Sequence, residues 1–407
     1  MRGAPCTVLS GEAMGYIDSG SNRYPATEAP LECPPQALLV YDDTNNLGDE
    51  IQSIAVERLL SNIDALVDRD SLAAFTPADG TVRRIVLNGW YSGGPENWPP
   101  SEYLEPLLVS MHVSGTPAYR SGLRAVDVML AEPLAEYMRY YAPVGARDLS
   151  TVRLLERANI DCYFSGCATL TFPRCADGRD EELLVLNDLP PAVVSAIKGR
   201  TAKRTMETTH GSFWERDPKR RLQRARELLD LYRRAGCVVT SRLHCALPSM
   251  AMGTPTLLLD VASDQDRFAG LSDFVHHCPV QDFLAGNAPF DPEHPLPTLD
   301  RHLGLAAALT NRIRSFITAP RQGTLLPYPL TDRQRLEGAR LIQHLLVRRI
   351  DGERRQRQRV STARGKLMDA MKKLRDLDGS ASLTEEQRKC LNDIENAATD
   401  LKSADPS

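Results

Sequence analysis

Cysteine is sparse and unpatterned in this chain of 407 residues, which holds nine, an odd number scattered over its length. That excludes the dense disulfide frame of a small secreted domain and fits free thiols in a reducing, cytosolic setting. Cys162, Cys167 and Cys175 lie close together, but their spacing is not that of a zinc site and no fourth ligand stands near. No metal is expected. Long hydrophobic runs are also missing. No stretch approaches the roughly 20 apolar residues of a membrane helix, and the polar N-terminus lacks the pattern of a signal peptide. Neither sign of charge dominates: 49 Lys and Arg against 53 Asp and Glu give a net charge of -4, so the basic surplus that nucleic-acid binding calls for is absent. No G-x-G-x-x-G follows the first expected strand and no P-loop lysine motif occurs, which excludes the standard dinucleotide and nucleoside-triphosphate sites.

What is present is a regular alternation. After a leader at 1–35, rich in Gly, Ser, Pro and acidic residues and expected to be disordered, apolar runs at 37–41, 84–88, 107–112 and 161–165 read as buried strands. Between them 51–60 has helical spacing, 137–141 reads as a helix end, and 143–151 is a strand-to-helix junction capped by Asp148 or Ser150. A charged, glycine-containing segment at 176–182 marks a boundary. The alternation then resumes with strands at 183–187 and 203–208, a helix at 219–235, a strand at 237–240 and a helix at 245–252 stopped by Gly253. A strand at 256–259 and a turn into a helix at 264–270 follow. This pattern predicts an α/β protein of two Rossmann-like domains, 36–180 and 181–330, facing a cleft. The tail, 331–407, is helical: Leu336, Ala339, Leu341, Ile342, Leu345 and Leu346 can form one packed face, 348–375 is strongly basic, and a capping box at 384–387 opens a last helix. It reads as a solvated helical hairpin or a partner-binding coil, or else as a basic surface for an anionic membrane.

The segment 236–260 concentrates the chemistry. Ser241, Arg242, Leu243 and His244 stand at the carboxyl end of one expected strand and open a helix, where open parallel sheets bind their ligands. Arginine supplies a rigid fork of donors, and a helix N-terminus adds backbone N–H groups and positive potential. Together they suit a small, doubly anionic ligand, beside which His244 can serve as an acid. The structural alternatives are a sheet–helix salt bridge for Arg242, a capping or core histidine for His244, and a surface ion pair with Asp148 for Arg147. Asn46, Gly48 and Asp49 form a second polar turn, where Gly48 admits close approach and Asp49 can orient a sugar hydroxyl; equally, Asp49 and Glu50 suit a plain helix start. Trp90, Tyr91 and Trp98 can make a platform for a sugar ring or simply pin their loop.

These motifs resemble those of the polysaccharide pyruvyl transferases. The resemblance rests on Asn46-x-Gly-Asp-Glu50, on Pro-Val-Gly-Ala-Arg-Asp-Leu-Ser-Thr at 143–151, on Phe-Ser-Gly-Cys-Ala-Thr-Leu-Thr at 164–171, and on Val-Thr-Ser-Arg-Leu-His at 239–244 followed by Gly-Thr-Pro at 253–255. It spans about 37–274, in the family's order, while the leader and the chain after about 333 lie outside it. The glycine-rich turn that many members carry after the second strand is replaced here by Asn88-Gly-Trp-Tyr, with Gly93 and Gly94 further on. The resemblance implies a fold like the GT-B glycosyltransferases, with the acceptor on the N-terminal domain and phosphoenolpyruvate on the C-terminal one. It implies transfer of pyruvate from phosphoenolpyruvate onto two hydroxyls of a saccharide, free or lipid-linked, as a ketal, with phosphate released and no cofactor or metal. His244 is then the acid, Arg242 and Arg147 the anion clamp, and Leu243, Ser241, Asn46, Gly48, Asp49 and Trp90 the substrate-binding residues. A cytoplasmic enzyme of surface or exopolysaccharide synthesis, at the inner face of the membrane if the tail binds there, is the expectation. A nucleotide-sugar glycosyltransferase on the same frame, or a non-catalytic sugar- or anion-binding protein, is the alternative.

Overall fold

The computed structural model describes residues 34–42, 44–175, 177–211, 215–260, 268–288, 290–320 and 328–375, and the single residues 385, 389 and 394. Nearly all of the expected leader, most of the 264–270 turn and most of the 384–387 capping box lie outside these residues. The chain divides into two compact units, one of residues up to 120 with 124–335, the other of 121–123 with the chain from 336 onward.

The first unit holds two sheets. Strands β1 (Gln36–Val40), β2 (Ile63–Asp68), β3 (Arg83–Tyr91), β4 (Leu104–Val113), β5 (Val144–Ala146) and β6 (Cys162–Phe164) lie in the order β2-β1-β3-β4-β5-β6. Strands β7 (Asp180–Asn187), β8 (Arg204–Thr208), β9 (Ala235–Thr240), β10 (Thr256–Asp260) and β11 (His276–Pro279) lie in the order β11-β10-β9-β7-β8. Every neighbouring pair is parallel. Counted within its own half, each sheet is wound the same way: the second strand lies outside the first, and the third, fourth and fifth follow on the other side. The order therefore reverses between β1 and β3 and again between β7 and β9. At such a switch point successive connections leave toward opposite faces and open a crevice at the carboxyl ends of the strands.

Helices α1 (Gly48–Glu57), α2 (Ala125–Met129), α3 (Ala135–Tyr140), α4 (Leu149–Arg157), α5 (Pro191–Lys198), α6 (Pro218–Arg234) and α7 (Leu243–Ala251) connect strands, and α8 (Val280–Leu284) and α9 (Leu303–Thr318) follow the last one. β1 is buried throughout, as a strand covered on both faces must be. α1 is buried at every residue but Glu57, because it packs between the first sheet and α6. Its polar side chains therefore need internal partners. Ser53 donates to the Leu39 carbonyl at 2.6 Å, and Arg221 of α6 donates from Nε to Glu50 Oε1 at 2.6 Å. α6 starts on Pro218, with Asp217 capping the Lys219 N–H. One apolar cluster contains Leu38, Ile51 and Ile54 from the first half and Val185, Leu222 and Val238 from the second, so the two halves share a core.

The strand pattern departs from expectation at the sheet edges. β2 and β11 were not anticipated, and both are edge strands with exposed and half-buried positions. Ile-Asp-Ala-Leu-Val-Asp in β2 offers neither a continuous apolar run nor a clean alternation. β3 runs on to Tyr91 and so takes Trp90 and Tyr91 out of the loop where they were expected. Tyr91 and Trp98 are buried with rings 6.2 Å apart, and Trp98 packs on Tyr137 at 5.2 Å. The three-ring platform is thus corrected: Tyr91 and Trp98 pin the loop from inside, and of the three only Trp90 stays half-buried.

In the second unit the chain from 336 continues α10 (Asp332–Arg375). Leu341, Ile342, Leu345 and Leu346 are half-buried, but Leu336 is 53% exposed, so the expected apolar face does not extend to it. Arg349 donates from Nη1 to the Gly122 carbonyl at 2.8 Å, which ties the 121–123 segment to this helix. Among the described residues no helix is long and apolar enough to cross a membrane.

Candidate active site

Both switch points carry polar turns, and the two turns meet. After β1 the chain turns through 42–47 into α1. The Leu47 N–H donates to the carbonyl of His210, beyond the end of β8, at 2.9 Å. Gly48 starts α1 where a Cβ would lie 3.0 Å from His210 Nδ1, 3.1 Å from Asn46 Oδ1 and 3.2 Å from His244 Cβ. A side chain at this position would press on both histidines, so glycine is what lets the first half close on α7.

The second turn is built for an anion. β9 ends at Thr240, Ser241 and Arg242 turn the chain, and Leu243 and His244 are the first residues of α7. Arg242 occupies the N-cap position without a capping side chain, so the first turn of α7 presents backbone N–H groups at the positive end of the helix. The Arg242 guanidinium is held through Nε by Asp188 Oδ2 at 2.9 Å, and its side chain is 41% exposed. Ser241 donates from Oγ to the Asp188 carbonyl at 2.6 Å. His244 is 6% exposed. The salt-bridge reading of Arg242 is therefore realised, yet it uses one edge of the guanidinium only.

Arg147 belongs to a third network, at the β5–α4 junction. It is 2% exposed, which corrects the surface ion pair considered for it. Its Nε lies 3.4 Å from Asp148 Oδ2, and the same oxygen meets His112 Nδ1 at 2.6 Å. Asp148 Oδ1 accepts from the Thr151 N–H at 3.0 Å, as an N-cap should, and from the Ser150 hydroxyl at 2.6 Å. Burial pushes the Asp148 carboxyl up, but the His112 bond and the Arg147 charge outweigh it and hold the group well below the usual carboxylate range. Arg147 also acts on the buried Cys167 thiol, which shares an apolar cluster with Leu243.

A polar cavity of about 630 Å³ opens at the first switch point. Asn46, Asp49 and Trp90 line it together with Asp42, Asp68, Asp70, Glu96 and, from the second half, Arg216. Asp49 accepts from the Thr44 hydroxyl at 3.2 Å and the Gln52 amide at 3.3 Å. Glu50 points elsewhere, to Arg221. Arg69 makes two bonds to Asp70 at 2.7 and 2.8 Å and donates to the Trp90 carbonyl at 2.7 Å. Burial, then the neighbouring Asp68 and Asp70, raise the Asp42 carboxyl, a sign of local negative potential. Trp90 meets His112 edge-on at 6.2 Å and so connects this cavity to the Asp148 and Arg147 network.

Three groupings therefore emerge: Asn46, Asp49 and Trp90 on the cavity, Gly48 against His244, and Ser241 with Arg242 on Asp188. Asp188, His210, His112 and Arg69 were missed by sequence reasoning. Asp188 and His210 each stand just past a strand's carboxyl end, which was the available signal; His112 and Arg69 find their partners only through the fold. Among the described residues no cluster of three or more His, Cys, Asp or Glu side chains could hold a metal ion.

Fold and site thus define an α/β protein of two like-wound parallel sheets, with a cationic helix start at one switch point and an acidic cavity at the other. Residues 127–263 match the family model described as polysaccharide pyruvyl transferase. This span contains Arg147, Ser241, Arg242, Leu243 and His244, as well as Asp148 and Asp188; Asn46, Gly48, Asp49 and Trp90 precede it. No curated protein matches the chain.

Proposed function

We propose that the chain transfers pyruvate from phosphoenolpyruvate to two hydroxyls of a saccharide, on a frame of the GT-B kind with the donor at the second switch point and the acceptor at the first. The observation that carries the reading is the contact of Gly48 with His244, which sets the polar turn of the acceptor cavity against the start of α7. Anion and polyol sites then share one reaction centre.

The chemistry follows from the groups present. Arg242, Arg147 and the N–H groups of α7, that of Leu243 among them, bind the carboxylate and phosphate. His244 protonates the methylene carbon of the enol phosphate, which places positive charge on the adjacent carbon. A saccharide hydroxyl attacks that carbon, phosphate leaves with the electron pair of the broken C–O bond, and the neighbouring hydroxyl closes the ketal. Of the two hydroxyl protons released, one restores His244 and the other leaves with phosphate. Asp49 orients the attacking hydroxyl, and Trp90 supplies an aromatic surface for the sugar ring. An acid placed in this way contributes about 10²–10⁴-fold in rate. Transfer to a saccharide used in surface or exopolysaccharide assembly, in the cytoplasm, completes the proposal.

The test is release of phosphate from phosphoenolpyruvate by the full chain across a panel of mono- and oligosaccharides, with the product followed by mass and by the methyl signal of the ketal. Saccharide-dependent release with pyruvate gained on the sugar is expected. Transfer from a nucleotide sugar, with phosphoenolpyruvate inert, would replace this reading by a glycosyltransferase.

A further inference from the structure

Asp188 belongs to none of the motifs above, yet the second switch point is tied together at this residue. It directly follows β7 with a φ of 50°, in the left-handed region where a side chain is normally disfavoured and only Gly, Asn and Asp are at home. Its backbone carbonyl accepts from Ser241 Oγ at 2.6 Å. Its carboxylate accepts from Thr209 Oγ1 at 2.5 Å, the His210 N–H at 2.9 Å and Arg242 Nε at 2.9 Å. Burial alone would raise this carboxyl, but the His210 N–H, the Thr209 hydroxyl and the Arg242 charge together hold it below the ordinary range, so it stays ionised.

Two consequences follow. Arg242 is fastened through Nε, and among the described residues its side chain has no other hydrogen bond or ion pair. The two terminal nitrogens, the pair that grips an oxyanion side by side, remain available on a guanidinium whose orientation is already set. In addition, the His210 that donates to Asp188 accepts from the Leu47 N–H at 2.9 Å. One residue therefore separates the support of Arg242 from the Asn46 turn that lines the acceptor cavity.

We propose that Asp188 is a positioning residue: its carboxylate holds the Arg242 guanidinium in the orientation that receives the donor's anion, and through the His210 backbone it registers that guanidinium against the turn at 46–49. The inference rests on Arg242 as the donor clamp in the reading above. It attributes to Asp188 a role in donor affinity rather than in the proton transfer itself. Fixing the guanidinium before binding lowers the ordering cost of association.

Asp188→Asn tests it directly, because asparagine tolerates the same φ, its amide oxygen can still accept from the His210 N–H and its amide nitrogen can donate to Thr209 Oγ1, while the negative charge that holds Arg242 is lost. Titration with phosphoenolpyruvate and steady-state kinetics should show Kd and KM raised at least about tenfold, as loss of a charge-assisted bond predicts. The kcat and the melting temperature should change little. Asp188→Gly, which relieves the φ, should show the same rise. Arg242→Lys keeps the positive charge but lacks Nε–H, so it should resemble Asp188→Asn, and the double variant should be no worse than Arg242→Lys alone. Native affinity in Asp188→Asn while Arg242→Ala loses binding would overturn the inference and leave the proposed reaction standing. So would fully additive effects in the double variant, which is readable even if one Asp188 variant folds poorly. Failure of the native protein to bind phosphoenolpyruvate would overturn the proposed reaction, and the role of Asp188 with it.

Discussion

The two switch points of this protein are alike in topology and unlike in the charged groups they carry. Each lies where a parallel sheet of the same winding reverses its strand order, and each is followed directly by a helix. At the first, the acids Asp42, Asp49, Asp68, Asp70 and Glu96 and the arginines Arg69, Arg120 and Arg216 surround a wide cavity. At the second, Arg242 and His244 stand at an uncapped helix start, with the site's acidic residue, Asp188, spent on orienting the arginine. The scaffold reverses its strand order twice, and the side chains at the strand ends decide what each reversal suits. A cavity rich in carboxylates suits hydroxyl donors such as sugars, whereas an arginine at a helix start suits an anion.

That division of labour can be broken by experiment. The largest effect is expected from His244→Ala, which should lower saccharide-dependent turnover by about 10²–10⁴-fold while phosphoenolpyruvate still binds. A variant that keeps its rate would remove the acid from the second switch point.

A second test uses acidity, because His210 joins the two turns. Its imidazole is buried, with Nε2 on the Tyr232 hydroxyl at 2.9 Å, and burial lowers it from 6.5 to about 4, with Arg242 adding to the effect and Asp188 opposing it. Between those values the unfolded chain takes up a proton that the folded one refuses. Stability should therefore fall as the pH drops from 6.5 toward 4, by on the order of 3 kcal/mol from this group. His210→Asn should flatten the melting-temperature profile across that window; an unchanged profile would remove His210 as its cause.

Gly48→Ala addresses the junction itself. The new methyl would lie 3.0 Å from His210 Nδ1 and 3.2 Å from His244 Cβ. Such overpacking costs about 1–3 kcal/mol in a well-packed site. Turnover should fall more than donor affinity does, because His244 is displaced; equal losses in both would show that the junction serves folding alone. The smallest effect is expected from Trp90→Ala, which should raise the saccharide KM by about tenfold or less, the range of aromatic contacts, and leave phosphoenolpyruvate binding as it is. A change in donor affinity there would mean that Trp90 serves the donor rather than the sugar.

Much of this was readable before the fold was known. Continuous apolar runs announced β1, β7 and β9, because strands covered on both faces must be apolar throughout. The edge strands β2 and β11 gave no such signal, since both mix exposed and half-buried positions. The Arg242-Leu243-His244 triplet stood out through its place between strand and helix. Asp188 did not, because Asn-Asp-Leu-Pro looks like any turn until β7 and β9 are placed side by side. Trp90, Tyr91 and Trp98 looked equivalent in the chain, yet packing against Tyr137 buried Trp98 and left Trp90 on the cavity.

The sequence by itself determined the alternation of strands and helices, the polar turns at the strand ends, and the presence there of Arg147, Arg242 and His244. Local patterning and motif spacing suffice for that, because they depend on near neighbours along the chain. Only the tertiary structure decided that both sheets share one winding, that Gly48 meets His244, that Asp188 holds Arg242, and that Arg147 is buried against Asp148. Those pairings join residues from 54 to nearly 200 positions apart, with Asp188 and Arg242 the nearer pair, and no local rule reaches across such separations. The exception is Arg147 with Asp148, adjacent in the chain, whose burial was nevertheless set by the elements folded around it.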